Sequence, residues 1–276
     1  MRRRGGGEGG WTVANLTSPH LAFDSPVFSS LPFHPLLLLL ERAKELALLP
    51  PSPWLPRQGP SGVTVHVTGF KKFHGVAENP TEKIVRNLES FMEKRGLPKG
   101  LTLGSCTVLE TAGQGGLGPL YEVFESAIVD KEYGLNDQGQ VILLHFGVNS
   151  GTTRFALENQ AINEATFRCP DELGWKPQRA PIVSSDGSIS NLRKTTLPVN
   201  EVNKSLQQMG FDVAPSDDAG RFVCNYVYYQ SLRFAEQRGI KSLFVHFPLF
   251  TTISEEVQMN FVASLLEVLA SQNYAQ

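Results

Sequence analysis

Apolar and polar positions along the chain fall into two alternating rhythms. VTVHVTGF at 63–70 is a β-branched run ending on Gly and Phe, the texture of a buried strand. ENPTEKIVRNLESFMEKRG then switches to helical spacing. Asn79 stands at a capping position, Pro80 at the first helical position and Glu82 at the third, and Gly96 ends the run. The alternation repeats. LTLGSCTVLETA (101–112) predicts a strand, GPLYEVFESAIVDK (118–131) a helix and QVILLHFG (140–147) a buried strand. Farther on, PVNEVNKSLQQMG (198–210) predicts a helix, FDVAPS (211–216) a short strand and the segment around Cys224 a helix. IKSLFVHFPLF (240–250) then predicts a strand and EEVQMNFVASLLEVLASQ (255–272) a closing helix. Strands alternating with helices need crossovers that lay each helix back on the sheet. The expected fold is α/β, a three-layer α/β/α sandwich with a largely parallel, twisted central sheet.

Two stretches break the rhythm. Residues 147–196 are rich in Gly, Pro, Ser and Asn and read as an irregular segment, and long segments of that kind inside a compact domain are usually functional. The amino-terminal stretch holds nine of the 18 prolines before residue 62 and opens MRRRGGGEGG, with a short helix expected over PLLLLLERAKELALL at 35–49. The expected organisation is therefore a low-order extension over 1–62 and a single α/β domain over 63–276. An Arg-rich, acid-poor start leaves an organelle-targeting role open beside a dispensable one.

Composition narrows the partners. The chain of 276 residues is 41% hydrophobic and 19% charged, with a net charge of −2, so no basic excess points to nucleic acid or an anionic membrane. Its longest apolar run, LLLLL at 36–40, falls far short of the roughly 20 residues a bilayer span needs. A small molecule or peptide is the expected partner. Three cysteines, Cys106, Cys169 and Cys224, lack CxxC spacing, which argues against a disulfide framework and a zinc site. The expectation is a reducing, cytoplasmic compartment and no metal or organic cofactor. GQGGLG at 113–118 lacks the register of a phosphate-binding loop and reads as a turn.

Cys224, in AGRFVCNYVYY, has two readings. A free cysteine is ordinarily a small buried hydrophobe. Here, however, Asp217 or Asp218 is placed to cap a helix with Cys224 in its first turn or two, where unpaired N–H groups favour an anion. A thiolate needs a base, and six histidines are on offer. His20 and His34 lie in the extension, and His66 and His145 lie inside apolar strands as core histidines. His74, in a loop, stays a candidate. His246, in LFVHFP at a strand end where α/β sites lie, is the best placed. Glu158, in RFALENQAIN, is an isolated acid that either orients the base or caps a helix. Phe70 and Phe73 flank a lysine pair after the first strand, either as core or as two exposed aromatics lining a pocket.

Four ordered segments carry a resemblance: TGFKKF followed by ENP, then ENQAIN, AGRFVCNYVYY and LFVHFP. They resemble the motifs of the pyroglutamyl-peptidase I family of cysteine peptidases, over about residues 63–270. The resemblance implies a phosphorylase/hydrolase-like sandwich and removal of an amino-terminal pyroglutamyl residue from peptides through a thioester. It also implies Cys224 as nucleophile, His246 as general base, Glu158 as the residue orienting it and Arg168 as support near the oxyanion. On the same resemblance, Phe70, Phe73 and Asn79 match residues that shape or support the pocket for the pyroglutamyl ring, and homo-oligomers are common in the family. The chain departs from the pattern in GVNSGT at 147–152, with Val148 for Gln and Thr152 for Arg, and in Lys72 and His74 of the first motif. These departures keep a second expectation open, a homologue that binds pyroglutamyl peptides without cleaving them.

Overall fold

The computed structural model describes residues 62–133 and 139–271. The calls on the 1–62 extension and the 35–49 helix fall, Gly62 apart, outside the described residues. The first half runs β1 (Val63–Phe70), α1 (Pro80–Arg95), β2 (Leu101–Leu109), α2 (Gly118–Tyr133), β3 (Gln140–Val148) and β4 (Phe155–Glu158). Four short strands follow, β5 (Gln160–Ile162), β6 (Glu164–Ala165), β7 (Ala180–Pro181) and β8 (Leu192–Lys194). The chain closes with α3 (Val199–Gln208), β9 (Val213–Ser216), α4 (Val223–Arg238), β10 (Lys241–Phe247) and α5 (Glu255–Ser271).

The central sheet has the order β2-β1-β3-β10-β4-β9, and only the β10–β4 pairing is antiparallel. Helices cover both faces, which is why β3 and β10 are buried along nearly their whole length rather than in alternation. One core places Val65, Val67, Ile142, Leu144 and Val245 under α1, α3 and α5; the other places Phe70, Leu143 and Phe244 under α2 and α4. The expected α/β/α sandwich stands.

Local chemistry explains the element ends. Asn79 Oδ1 accepts the Thr81 N–H at 3.0 Å and caps α1, and Gly96, at φ 90°, ends it in a conformation L side chains rarely adopt. In the GQGG segment a turn closes from the Gly116 N–H to the Gly113 carbonyl at 3.0 Å, as its composition suggests.

The 147–196 stretch is more ordered than its sequence indicates. Its residues 155–158 form a central strand. Phe155 stacks on Phe261 of α5 with centroids 3.7 Å apart, while Ala156 and Glu158 face the other side. Burying such a ring contributes about 2–3 kcal/mol, which anchors a strand of only four residues. The rest folds into the β5–β8 and β6–β7 ribbons. Among the described residues no helix is long and apolar enough to cross a membrane, and no group of three or more His, Cys, Asp or Glu side chains is placed to hold a metal.

Candidate active site

The carboxyl ends of β1, β3 and β10 and the start of α4 enclose a cleft of about 410 Å³. Phe70, Phe73, Asn79, Val148, Arg168, Cys224 and His246 all line it. Those four elements supply Phe70, Val148, His246 and Cys224, and the segments after β1 and after β6 add Phe73, Asn79 and Arg168.

His246 sits near the end of β10, opposite Gly147 of β3 and Ala156 of β4. Because β4 runs against β10, Glu158 falls beside Phe244, diagonal to His246 and on the same sheet face. The His246 Nδ1–H donates to Glu158 Oε1 at 2.7 Å, and both residues are buried. Glu158 is therefore fixed by a core strand, not by a loop or a helix cap as its segment suggested. Tyr228, buried in α4, donates its hydroxyl to the Glu158 carbonyl at 2.8 Å; burial and the neighbouring carboxylate keep that phenol protonated.

Cys224 is the second residue of α4, in the first turn as expected, but its helix is capped differently. The cap position is Phe222, which contributes no side-chain hydrogen bond, so the first-turn N–H groups keep their donors. Asp218 instead accepts from the Gly220 N–H at 3.0 Å and from Arg221, and Asp217 accepts from Asn159. These carboxylates close the approach loop, with Gly220 at φ 79° supplying its turn.

His246 faces the cleft that Cys224 also lines and is held from behind by Glu158. Burial alone disfavours the imidazolium. Hydrogen bonding and charge from Cys224 and from Glu158 outweigh it, and the His246 pKa is raised to about 10. All three cysteines are free, and burial, followed by Glu89, pushes the Cys106 thiol up to about 12. Backing the Cys224 sulfur is Gly147, where a Cβ would lie 2.8 Å from Sγ and 2.6 Å from the Phe244 ring. Only hydrogen fits there.

Phe70 is 2% exposed and packs on Phe244 with centroids 6.3 Å apart, so it is a buried wall of the cleft rather than an exposed aromatic. Phe73 is half-buried and packs on Phe222 at 6.5 Å. Asn79 joins cap and cleft, its Nδ2 donating to the Lys71 carbonyl at 3.0 Å. Arg168 is exposed on the cleft wall, and among the described residues no carboxylate pairs with it. His74 is exposed and does not line the cleft; its N–H donates to Glu172. His66 and His145 are core histidines as expected: His66 contacts Ser105 and Asp130, and His145 contacts Thr68 and Ser231.

Residue types alone missed the braces of this site. Asn225 takes the Ile162 N–H at 2.9 Å and donates to the Ile162 and Glu164 carbonyls at 2.9 and 3.0 Å, tying the segment before Arg168 to the Cys224 helix. Tyr229 donates to Asp186 at 2.9 Å and holds the following loop. Both stand in the AGRFVCNYVYY segment, which was the available signal. Tyr228, four residues after Cys224 and so on the same helix face, was legible from spacing.

A model of the pyroglutamyl peptidase family matches residues 63–266. A pyrrolidone-carboxylate peptidase from Pyrococcus furiosus is 30% identical over 186 residues, 67% of this chain and 80% of its own length. One from Vibrio vulnificus is 31% identical over 185 residues, 67% and 78% of the two chains. A structure of a variant pyrrolidone carboxyl peptidase from P. furiosus superposes with a TM-score of 0.61 at 29% identity, covering 77% of this chain and 100% of that one. The enzyme from Fervidobacterium islandicum gives 0.63 at 25% identity, over 75% and 98%. The chain, with Cys224 and His246 lining one cleft and Glu158 holding the imidazole from behind, belongs to the pyroglutamyl peptidase family and is a peptidase.

Proposed function

We propose that the protein hydrolyses the bond after an amino-terminal pyroglutamyl residue through a Cys224–His246–Glu158 triad. The observation that carries this reading is the 2.7 Å hydrogen bond from His246 to Glu158 behind an aromatic-walled cleft that His246 and Cys224 line together. The Cys224 thiolate attacks the carbonyl that follows the lactam ring, giving a tetrahedral oxyanion. The uncapped first-turn N–H groups of α4 and the Arg168 guanidinium stabilise that charge. The imidazolium of His246 then gives its proton to the departing amine, leaving a pyroglutamyl thioester. Water, deprotonated by His246, cleaves the thioester and regenerates the thiol. Glu158 keeps the ring of His246 oriented and favours its charged form throughout.

A pyroglutamyl ring is small, flat and neutral, and it suits a slot between Phe70 and Phe73 better than a cationic amino terminus does. Among the described residues the one carboxylate lining the cleft, Asp218, is already engaged by Arg221 and the Gly220 N–H. The change to Val148 in the 147–152 loop need not remove ring contacts. Asn149 donates its N–H to Phe247, so in the alternation of a parallel ladder Val148 turns its own N–H and C=O away from β10. On that side β1 has stopped pairing with β3 at His145, so main-chain groups remain to meet a lactam whatever the side chain.

The purified protein is expected to release the fluorophore from pyroglutamyl aminomethylcoumarin and not from the prolyl analogue, which lacks the ring carbonyl. A homologue that only binds would turn over neither, and its Cys224 would react with iodoacetamide no faster than a free thiol. Gly147→Ala is expected to lower kcat by about 10²-fold, because the added methyl displaces the sulfur or the Phe244 ring beneath His246. Wild-type kcat in that variant would show that the close contact at Cys224 has no catalytic weight.

A further inference from the structure

Below the cleft, on the face covered by α4, four buried polar side chains form one string. Thr68 Oγ1 lies 2.7 Å from His145 Nδ1, His145 Nε2 lies 2.7 Å from Ser231 Oγ, and Ser231 Oγ lies 2.8 Å from Ser242 Oγ. None of the four is more than 1% exposed. They come one each from β1, β3, α4 and β10, the elements that carry Phe70, Gly147, Cys224 and His246. Their spacing is regular. Thr68 stands two residues before Phe70, His145 two before Gly147 and Ser242 four before His246, each on the same strand face as its partner. Ser231 stands seven after Cys224, two turns along the same helix face.

Polar groups at these positions are not what core packing alone selects. Each costs free energy in an apolar core unless paired, and a wholly apolar set of similar shape would fill the space. What apolar contact does not supply is direction. A satisfied hydrogen-bonded string fixes the slide and rotation of a helix against its sheet. The imidazole suits this role, since burial lowers the His145 pKa to about 3 and leaves a neutral ring with one donor and one acceptor nitrogen. None of the four lines the cleft, so none touches a substrate.

We propose that Thr68, His145, Ser231 and Ser242 are positioning residues, a tier that holds the Cys224 helix in register with the His246 strand and the Phe70 wall. This rests on the reading of Cys224 and His246 as the reacting pair. Thr68→Val and Ser231→Ala each cut the string with little change of shape, and Thr68→Ser keeps the hydroxyl. Three quantities read the result: kcat and KM on pyroglutamyl aminomethylcoumarin, the rate at which iodoacetamide labels the Cys224 peptide by mass spectrometry, and the melting temperature. In T68V and S231A, kcat is expected to fall about tenfold or more with KM within about twofold, because small misplacements of reacting atoms act on the chemical step. Cys224 labelling should slow in step, T68S should recover both, and the double variant should be no worse than either single one. Lower melting temperatures with wild-type kcat and labelling, or T68S as impaired as T68V, would overturn the proposal. A wild-type protein without turnover would instead overturn the functional reading, and the labelling rates would still report on the string.

Discussion

Cys224→Ala is expected to bring turnover of a pyroglutamyl substrate down to the uncatalysed background, a loss of at least about 10³-fold. Among the described residues no other thiol lines the cleft, and the burial and acidic neighbour of Cys106 hold it as a thiol. The fold should survive, since Cys224 is half-buried and alanine is the best helix former. Circular dichroism and a melting curve within a few degrees of wild type would separate lost chemistry from lost structure. Retained turnover would remove Cys224 from the mechanism.

Glu158→Gln is expected to lower kcat by about 10²- to 10⁴-fold, less than loss of the nucleophile, because the acid orients and charges the base without meeting substrate. Glutamine keeps the volume and one acceptor oxygen but brings an NH₂ and no charge. The pH profile should change in a defined direction. The folded-state pKa of His246 is raised from 6.5 to about 10, so the stability it contributes is fully present below 6.5 and is lost as pH rises through about 10. Glu158 is one of the two groups that raise it. Without its charge, the imidazolium that protonates the leaving amine gives way sooner, and the alkaline limb of kcat/KM moves to lower pH. An unmoved limb would mean that Glu158 does not govern His246.

How far the sequence revealed this architecture depended on how local each signal was. β1 and α1 were legible because a β-branched run and the Asn79–Pro80–Glu82 start are complete within a few residues. His246 was legible because β10 is a long apolar run closed by Pro248. β4 was not. Its four residues offer two apolar positions, Phe155 and Leu157, and the pairing that makes them a strand lies with β10, nearly 90 residues away. Glu158 consequently looked like a loop residue until the TGFKKF, ENQAIN, AGRFVCNYVYY and LFVHFP segments were read together. The helix start at Cys224 was legible but its cap was not, because two aspartates nearby carry the stronger capping propensity while the approach loop uses Asp218 for its own turn.

The reversed direction of β4 separates two jobs along the chain. Everything between Asn159 and Thr196 leaves the sheet after the acid has been placed and returns before α3, so that excursion hangs outside the strands that pair Glu158 with His246 while supplying Arg168 to the cleft wall. The part of the cleft wall that carries Thr166 and Arg168 can therefore be rewritten around its anchors at Asn225 and Tyr229, apart from the slot between Phe70 and Phe73. The pairing of Glu158 with His246 would stay under the separate control of Phe155 and its seat on Phe261.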